Sequence, residues 1–316
     1  MLKYALKKLT ALVPKMLVIS IILFIGLDMI PGDPLTRTIP VDVYEELSEY
    51  QRNEMRESLG LNDPIHIRYI NWLGNLLKGE LGYSTVNKAK IADVIGPRLP
   101  YTMELCVYGL LLSTLIGLTF GFIAALFKRT IIDHALNAVS TVWTAVPEFF
   151  VALCLLILFS VNLKWLPVGG RMDPEGGSRI PYMILPVFSM GMNYAATLVK
   201  YVRNTMLEVM DREYIKTARS KGLSETVVYL KHAFRNALIP VTILMCMRIP
   251  MLVGGFVVIE QVFSYHGIGS VQLTALNGGD IPVVMICLML TGVLTMVAST
   301  LADLATAALD PRVRLE

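Results

Sequence analysis

Three stretches without a single charged residue, Leu105 to Phe127, Ile180 to Val199 and Ile281 to Ala302, constrain this chain more than any other feature. Each is long enough for a helix to cross a hydrocarbon core of about 30 Å, where backbone polar groups must be satisfied within the segment. Composition agrees, with 54% hydrophobic and only 17% charged residues, against roughly 25% charged in a soluble domain. A further span is expected over roughly Leu9 to Ile30, with Lys15 and Asp28 near its ends, where long side chains snorkel to the headgroups. The basic start Lys3, Lys7 and Lys8 also fits a secretion signal, but no small-x-small cleavage site follows Ile25 to Pro31, which favours an uncleaved anchor.

Two more spans are interrupted. Ala135 to Leu163 carries Pro147 and Glu148 midway, and Asn236 to Ile259 carries Pro240, Arg248, Pro250, Gly254 and Gly255. Proline removes a backbone donor and glycine loosens packing, so both helices are expected to bend, either beside a wet pathway or as kinks in a packed bundle. The expectation is an all-α membrane protein with six spans. Lysine and arginine near span ends (Lys3, Lys7, Lys8; Lys128, Arg129; Lys200 to Arg235; Arg312, Arg314) place both termini and the Asp211 segment in the cytoplasm by the positive-inside rule. The organisation expected is an N-terminal span over 1–30, an extracytoplasmic insertion over 31–100, a five-helix core over 101–310 that contains a cytoplasmic loop at 208–236, and a cytoplasmic tail at 311–316. In the insertion, Val43 to Leu59 reads as a helix ending at Gly60, and Pro64 to Leu77 as a second.

The cytoplasmic segment DREYIKTARSKGLSETVVYLKHAFRNALIP, Asp211 to Pro240, is basic and amphipathic. Asp211 is placed to start a short helix over Glu213 to Lys221, Gly222 to break it, and Ser224 to cap a second with Glu225 in its first turn. Val227, Leu230, Phe234 and Leu238 recur at three- and four-residue steps and give the second helix one apolar face. Two short helices meeting at a glycine elbow suit a docking handle; a plain cytosolic loop kept basic for topology is the alternative.

The strings TARSKGLSE and HAFRNALIP resemble the coupling-loop signature of binding-protein-dependent ABC importer permeases, in the dipeptide, oligopeptide and nickel branch. LGLNDPIHIRYINWLGNLLKGELGYS, PGDP at Pro31 to Pro34 and RLPYTMEL at Arg98 to Leu105 resemble the same branch. In the general family the loop reads Glu-Ala-Ala, three residues, Gly; here Lys216, Thr217 and Ala218 fill those places before Gly222, so the first two depart. The resemblance implies a permease of the type I importer kind that pairs with a second homologous permease, rests on two cytosolic ATPase subunits and meets an extracytoplasmic substrate-binding lipoprotein in the bacterial cytoplasmic membrane. It implies a coupling role for Thr217, Ala218, Arg219, Lys221, Gly222, Leu223, Ser224 and Glu225. Its implied cargo is short peptides, with nickel or metal chelates as the alternative. From the residues alone, the insertion serves equally as a spacer.

Catalytic chemistry is thin. His66, His134, His232 and His266 have no metal-ligand partner at helix or hairpin spacing. Cys106, Cys154, Cys246 and Cys287 all lie in apolar runs, where a thiol behaves as a small hydrophobe. No Walker or GxGxxG sequence occurs, so no cofactor is expected in this chain and ATP with Mg falls to partner subunits. Lipid is the surrounding medium, and nucleic acid is not an expected partner. An ion-coupled secondary transporter would need buried carboxylate chains or inverted repeats with unwound half-helices, and neither is clear. An ionised residue at a helix centre costs at least roughly 2.5 kcal/mol unless water or a partner meets it. Arg248 is the sharpest case, and should face a solute cavity or a carboxylate such as Glu148 or Glu104. Glu148, Asn193, Arg248, Gly254 and Gly255 are the candidate pathway residues, with a structural ion pair as the other reading of Arg248.

Overall fold

The structure, a computed structural model, describes residues 2–29, 32–171 and 177–309, with side chains described except at 2–9, 27, 37, 251–256, 308 and 309. The expected tail at 311–316 lies outside the described residues. Every regular element among them is helical, in chain order α1 (Leu2–Asp28), α2 (Val41–Glu46), α3 (Glu49–Ser58), α4 (Ile65–Leu77), α5 (Ile91–Ile95), α6 (Leu99–Leu126), α7 (Ile131–Ala145), α8 (Glu148–Leu155), α9 (Ile180–Met210), α10 (Glu213–Ser220), α11 (Glu225–Val227), α12 (Arg235–Val262), α13 (Ile268–Asn277) and α14 (Ile281–Leu309). π-helical turns at Leu156–Asn162 and Val228–Phe234 extend α8 and join α11 to α12.

Four stretches among the described residues are long and apolar enough to cross a membrane: Ile91–Leu126, Ile180–Met210, Glu225–Pro250 and Ile281–Ala307. The pair α7 and α8, bent by 102° at the break, makes a fifth. The six-span reading takes α1 as the remaining one, although its apolar stretch, Thr10–Gly26, is shorter. Of the two helices expected to be interrupted, only one is. Pro147 ends α7 because it offers no N–H to the turn before it, whereas α12 runs unbroken through Pro240 and Pro250. The helix expected over Val43 to Leu59 is two helices, because Ser48 opens a capping box of its own. Its hydroxyl accepts from the Gln51 N–H at 3.4 Å, while its N–H donates to the Gln51 side chain at 2.9 Å.

The chain divides into two compact units. One comprises Lys7–Thr102 and His266–Leu294. Here α4 docks on the end of α1 through the ring cluster of Phe24, Tyr69 and Trp72, a 2.7 Å bond between the Ser20 and Tyr69 hydroxyls, and the Arg68–Asp28 ion pair. Asp33 ties the start of the insertion together by accepting from the Leu35 N–H at 3.0 Å, the Tyr44 hydroxyl at 3.0 Å and the Arg56 Nε–H at 3.1 Å. The Arg56 guanidinium holds the Asp33 carboxyl down at about 2. Buried Asp280 accepts from Ser84 and, at 3.2 Å, from the Thr85 N–H, which pins the 84–85 turn beside the start of α14.

The other unit comprises Met1–Leu6, Met103–Tyr265 and Thr295–Glu316. Its centre is α9, which packs against α7, α8 and α12. Gly117 and Gly121 of α6 let α9 approach closely, since a Cβ on Gly121 would lie 2.6 Å from Val202 Cβ and 2.8 Å from the Val199 carbonyl oxygen. Small residues serve helix contacts in this way when lipid supplies no hydrophobic driving force between helices.

Candidate coupling face and membrane pathway

The elbow forms at Gly222, but neither expected side-chain cap does: Ser224 occupies the N-cap position of α11 and makes no side-chain cap bond. Asp211 closes α9 as its C-cap, and the N-cap of α10 is Arg212, which makes no side-chain cap bond. The long α9 simply runs further than the sequence breaks suggest. Gly222 sits at φ +76°, and a Cβ there would meet nothing within 4 Å, so backbone conformation alone selects glycine. Arg219, at the end of α10, reaches across this turn and donates to Glu225 of α11 from Nε at 2.9 Å and from Nη2 at 3.1 Å. The bidentate pair braces the bend, and the Glu225 carboxylate raises the Arg219 pKa.

Of the expected coupling residues, Thr217, Arg219, Lys221, Gly222, Leu223, Ser224 and Glu225 are exposed. Ala218 is not. With Ile215 it turns inward, into an apolar cluster with Met206 and Val202 of α9, Val228 and Ala233 of the π-helical turn, and Ala237 and Val241 of α12. Ala218 therefore anchors the elbow rather than presenting itself to a partner.

The second arm of the elbow is the beginning of a membrane helix. Glu225 to Pro250 forms one apolar stretch, and the π-helical turn inserts a wider repeat into it. That insertion re-phases the apolar face: the buried positions are Val228, Ala233, Ala237 and Val241, while Val227 and Leu230 of the expected face are exposed. A face read at 3.6 residues per turn fails wherever i→i+5 bonding intervenes.

In the membrane, Glu148 is the first residue of α8, beside the free N–H groups of a helix start, and its Oε1 is buried with no hydrogen-bond partner. Asn193 of α9 donates to the Trp143 carbonyl at 3.4 Å. That carbonyl would be served in a continuous helix by the N–H four residues on, which is Pro147 and has none. Asn193 thus stitches the break in α7 and α8 to α9. Arg248 lines a small cavity with Ser113 and Thr114 of α6 and Tyr194 and Thr197 of α9, an inward setting lined by hydroxyls. The expected carboxylate partner Glu104 is engaged elsewhere, by Arg179 at 3.0 Å, Arg171 at 3.4 Å and the buried Tyr265 hydroxyl at 3.1 Å. Gly254 and Gly255 fall within 251–256, whose side chains are outside the described residues.

One constellation escaped the sequence. Asp133 of α7, fully buried, accepts from Arg203 of α9 at 2.7 Å, from Asn137 at 2.7 Å and from the Arg129 N–H at 2.9 Å. A lone aspartate after a basic turn looks like a helix N-terminus, and only the fold brings it opposite an arginine seventy residues away. Among the described residues no group of histidine, cysteine, aspartate or glutamate could hold a metal ion.

Residues 117–315 match the family described as Binding-protein-dependent transport system inner membrane component, and residues 1–106 match its companion, Binding-prot-dependent transport system membrane comp, N-term. The chain belongs to this family of ABC transporter permeases. It is 35% identical to the oligopeptide transport system permease protein AppB of Bacillus subtilis (strain 168), covering 99% of each chain. It is 30% identical to the glutathione transport system permease protein GsiC of Escherichia coli (strain K12), again covering 99% of each. Among solved structures it is similar in fold to the MetNI methionine ABC transporter in an inward-facing form, with a TM-score of 0.55 and 15% identity over 69% of this chain and 96% of that one. An amino acid ABC transporter gives a TM-score of 0.52 at 15% identity over 69% and 94%. The chain is a membrane-embedded permease subunit, a class that works with ATPase subunits and substrate-binding proteins, and it is not itself an enzyme.

Proposed function

We propose that this chain is one half of a translocation pore that imports short peptides by alternating access, driven by ATP hydrolysis in two cytosolic subunits. The observation that carries the reading is the elbow: an exposed row from Thr217 to Glu225 held on a buried apolar anchor that is continuous with α9 and α12. A motor protein pressing on such a row moves membrane helices rather than a loose loop. The chain pairs with a second permease and receives cargo from an extracytoplasmic binding protein. It lies in the bacterial cytoplasmic membrane with both termini inside, as the lysine and arginine distribution supports. ATP and Mg are bound by the partners. Relatives named for oligopeptides and glutathione support peptides over nickel as cargo. Glu148, Asn193 and Arg248 line or shape the pathway in this reading, Asn193 by holding the broken span. The test is to purify the complete complex and measure which solutes, delivered by the binding protein, raise ATP hydrolysis. Stimulation by di- and oligopeptides is expected. Stimulation by nickel chelates alone would overturn the cargo assignment, and steady transport by this chain alone without nucleotide would overturn the whole reading.

A further inference from the structure

The unit of Lys7–Thr102 and His266–Leu294 contains a cavity of about 390 Å³ that the coupling reading does not use. Its apolar lining includes Phe24 of α1 and Met285 and Ile286 of α14, beside Leu61, Trp72 and Leu81 of the insertion. Phe24 lies inside the apolar stretch Thr10–Gly26, and the two α14 residues lie in the first turns of the span Ile281–Ala307. These residues therefore border the edge of the hydrocarbon layer. The polar lining comes from Arg68, Asn71 and Glu80 of the insertion.

The charge in that polar lining defines the ligand. Arg68 is paired with Asp28, which also lines the cavity, and its Nε–H is buried without an acceptor. That N–H is closed off from the cavity, so a ligand meets the guanidinium through its accessible remainder, 14% of the side chain, which still favours an oxygen acceptor. With Glu80 added to the Arg68–Asp28 pair, the lining carries one net negative charge. A bare anion does not suit such a site, whereas a zwitterion does. Its phosphate oxygen would accept from the remaining Arg68 Nη N–H groups and the Asn71 amide, and its ammonium would meet Glu80. A soluble peptide or a loop of a water-soluble protein has no use for an apolar lining at the hydrocarbon edge, but an acyl chain does.

We propose that this cavity binds one phospholipid bearing a primary ammonium headgroup, phosphatidylethanolamine being the probe, with its phosphate at Arg68, its ammonium at Glu80 and an acyl chain along Phe24 and Met285. Bound there, the lipid joins α1, α4 and α14 at the membrane boundary.

The test uses the complete importer extracted in mild detergent, with retained lipid identified by native mass spectrometry after exchange into mixtures of phosphatidylethanolamine, phosphatidylcholine and phosphatidylglycerol. One phosphatidylethanolamine per copy is expected, preferred over phosphatidylglycerol. Glu80→Gln is expected to cut that preference by about two- to fivefold, the range for losing one exposed charge contact. Arg68→Lys keeps the charge opposite Asp28 but removes the forked guanidinium donors, and is expected to lower retention of all phospholipids. Met285→Trp fills the apolar part of the cavity and is expected to exclude the lipid, while Glu54→Gln, exposed and outside the lining, leaves retention unchanged. Glycerophosphoethanolamine, which lacks acyl chains, is expected not to compete. Equal retention of the three lipids, unchanged retention in both Glu80→Gln and Arg68→Lys, or occupation of the cavity by a segment of the soluble binding protein would each overturn the proposal.

Discussion

Replacing Gly222 separates two reasons for a glycine at the elbow. At φ +76°, an L side chain enters the left-handed region, at a cost of about 1–2 kcal/mol, greatest for β-branched residues and least for asparagine. Nothing in this chain lies within 4 Å of the missing Cβ, so sterics add nothing within the subunit. The Arg219–Glu225 brace opposes the strain by about 0.5 kcal/mol, since both partners are partly exposed. Gly222→Val should therefore destabilise the elbow by about 1.5 kcal/mol, lowering the ratio of formed to unformed elbow about tenfold, while Gly222→Asn should leave it nearly intact. The assay is hydrogen exchange over 213–225 together with the ratio of peptide taken up to ATP hydrolysed, in vesicles carrying the whole importer. Val should speed exchange and lower the ratio, with the membrane helices protected as before; Asn should resemble the parent in both. If Asn proves as damaging as Val, backbone conformation is not the reason for glycine, and a partner must pack directly on that position. Full coupling in Gly222→Val would refute the argument outright.

Further outcomes follow from the packing of each site. Gly121→Ala should lower the melting temperature of the complex, since overpacking against Val202 and the Val199 carbonyl costs about 1–3 kcal/mol, while Gly74→Ala on open α4 should be neutral or stabilising. Asp133→Ala leaves Arg203 without its buried partner and should cost about 3 kcal/mol, read as loss of assembled complex; Asp133→Leu with Arg203→Met should recover part of it. The folded pKa of Asp33 lies below its ordinary value of 3.8, at about 2, so its contribution is fully present above pH 4 and is lost as pH falls towards 2. Proteolytic protection of 32–60 should follow that window in the parent and lose its dependence in Asp33→Asn. A cysteine at Arg248 should react with a small water-soluble thiol reagent during turnover, and lack of reaction in every state would remove Arg248 from the pathway.

The spans were legible because their signal is local: an uncharged run of sufficient length admits few structures in lipid. The elbow was legible for the same reason, with Gly222 breaking one helix and Ser224 opening the next. What was hidden depended on partners distant in sequence or on helix geometry that composition does not encode. Pro147 breaks its span and Pro250 does not, although both are prolines in apolar runs. The side chain of Asn193, on another helix, meets the carbonyl that Pro147 leaves unserved. The apolar face read as Val227, Leu230, Phe234 and Leu238 is instead Val228, Ala233, Ala237 and Val241, because a π-helical turn shifts the register and has no sequence mark of comparable strength.

That turn gives the proposed coupling its mechanical form. Force applied to Thr217, Lys221 or Leu223 enters α10, whose inward residues Ile215 and Ala218 press on Met206 of α9 on one side and on Val228 and Ala233 on the other. A close-packed cluster transmits such a displacement because its parts do not compress. The second contact reaches α12 through a segment whose wider i→i+5 repeat is less constrained than an α-helix, so rotation or shortening there is the least costly response. Deleting one residue of Val228–Phe234 would replace the wide repeat by an α-helical one while keeping Ala237 and Val241 in the cluster, since the five-residue step from Val228 to Ala233 becomes four. Uptake should then fail while ATP hydrolysis persists. Retained uptake in that deletion would mean that α9 alone carries the stroke.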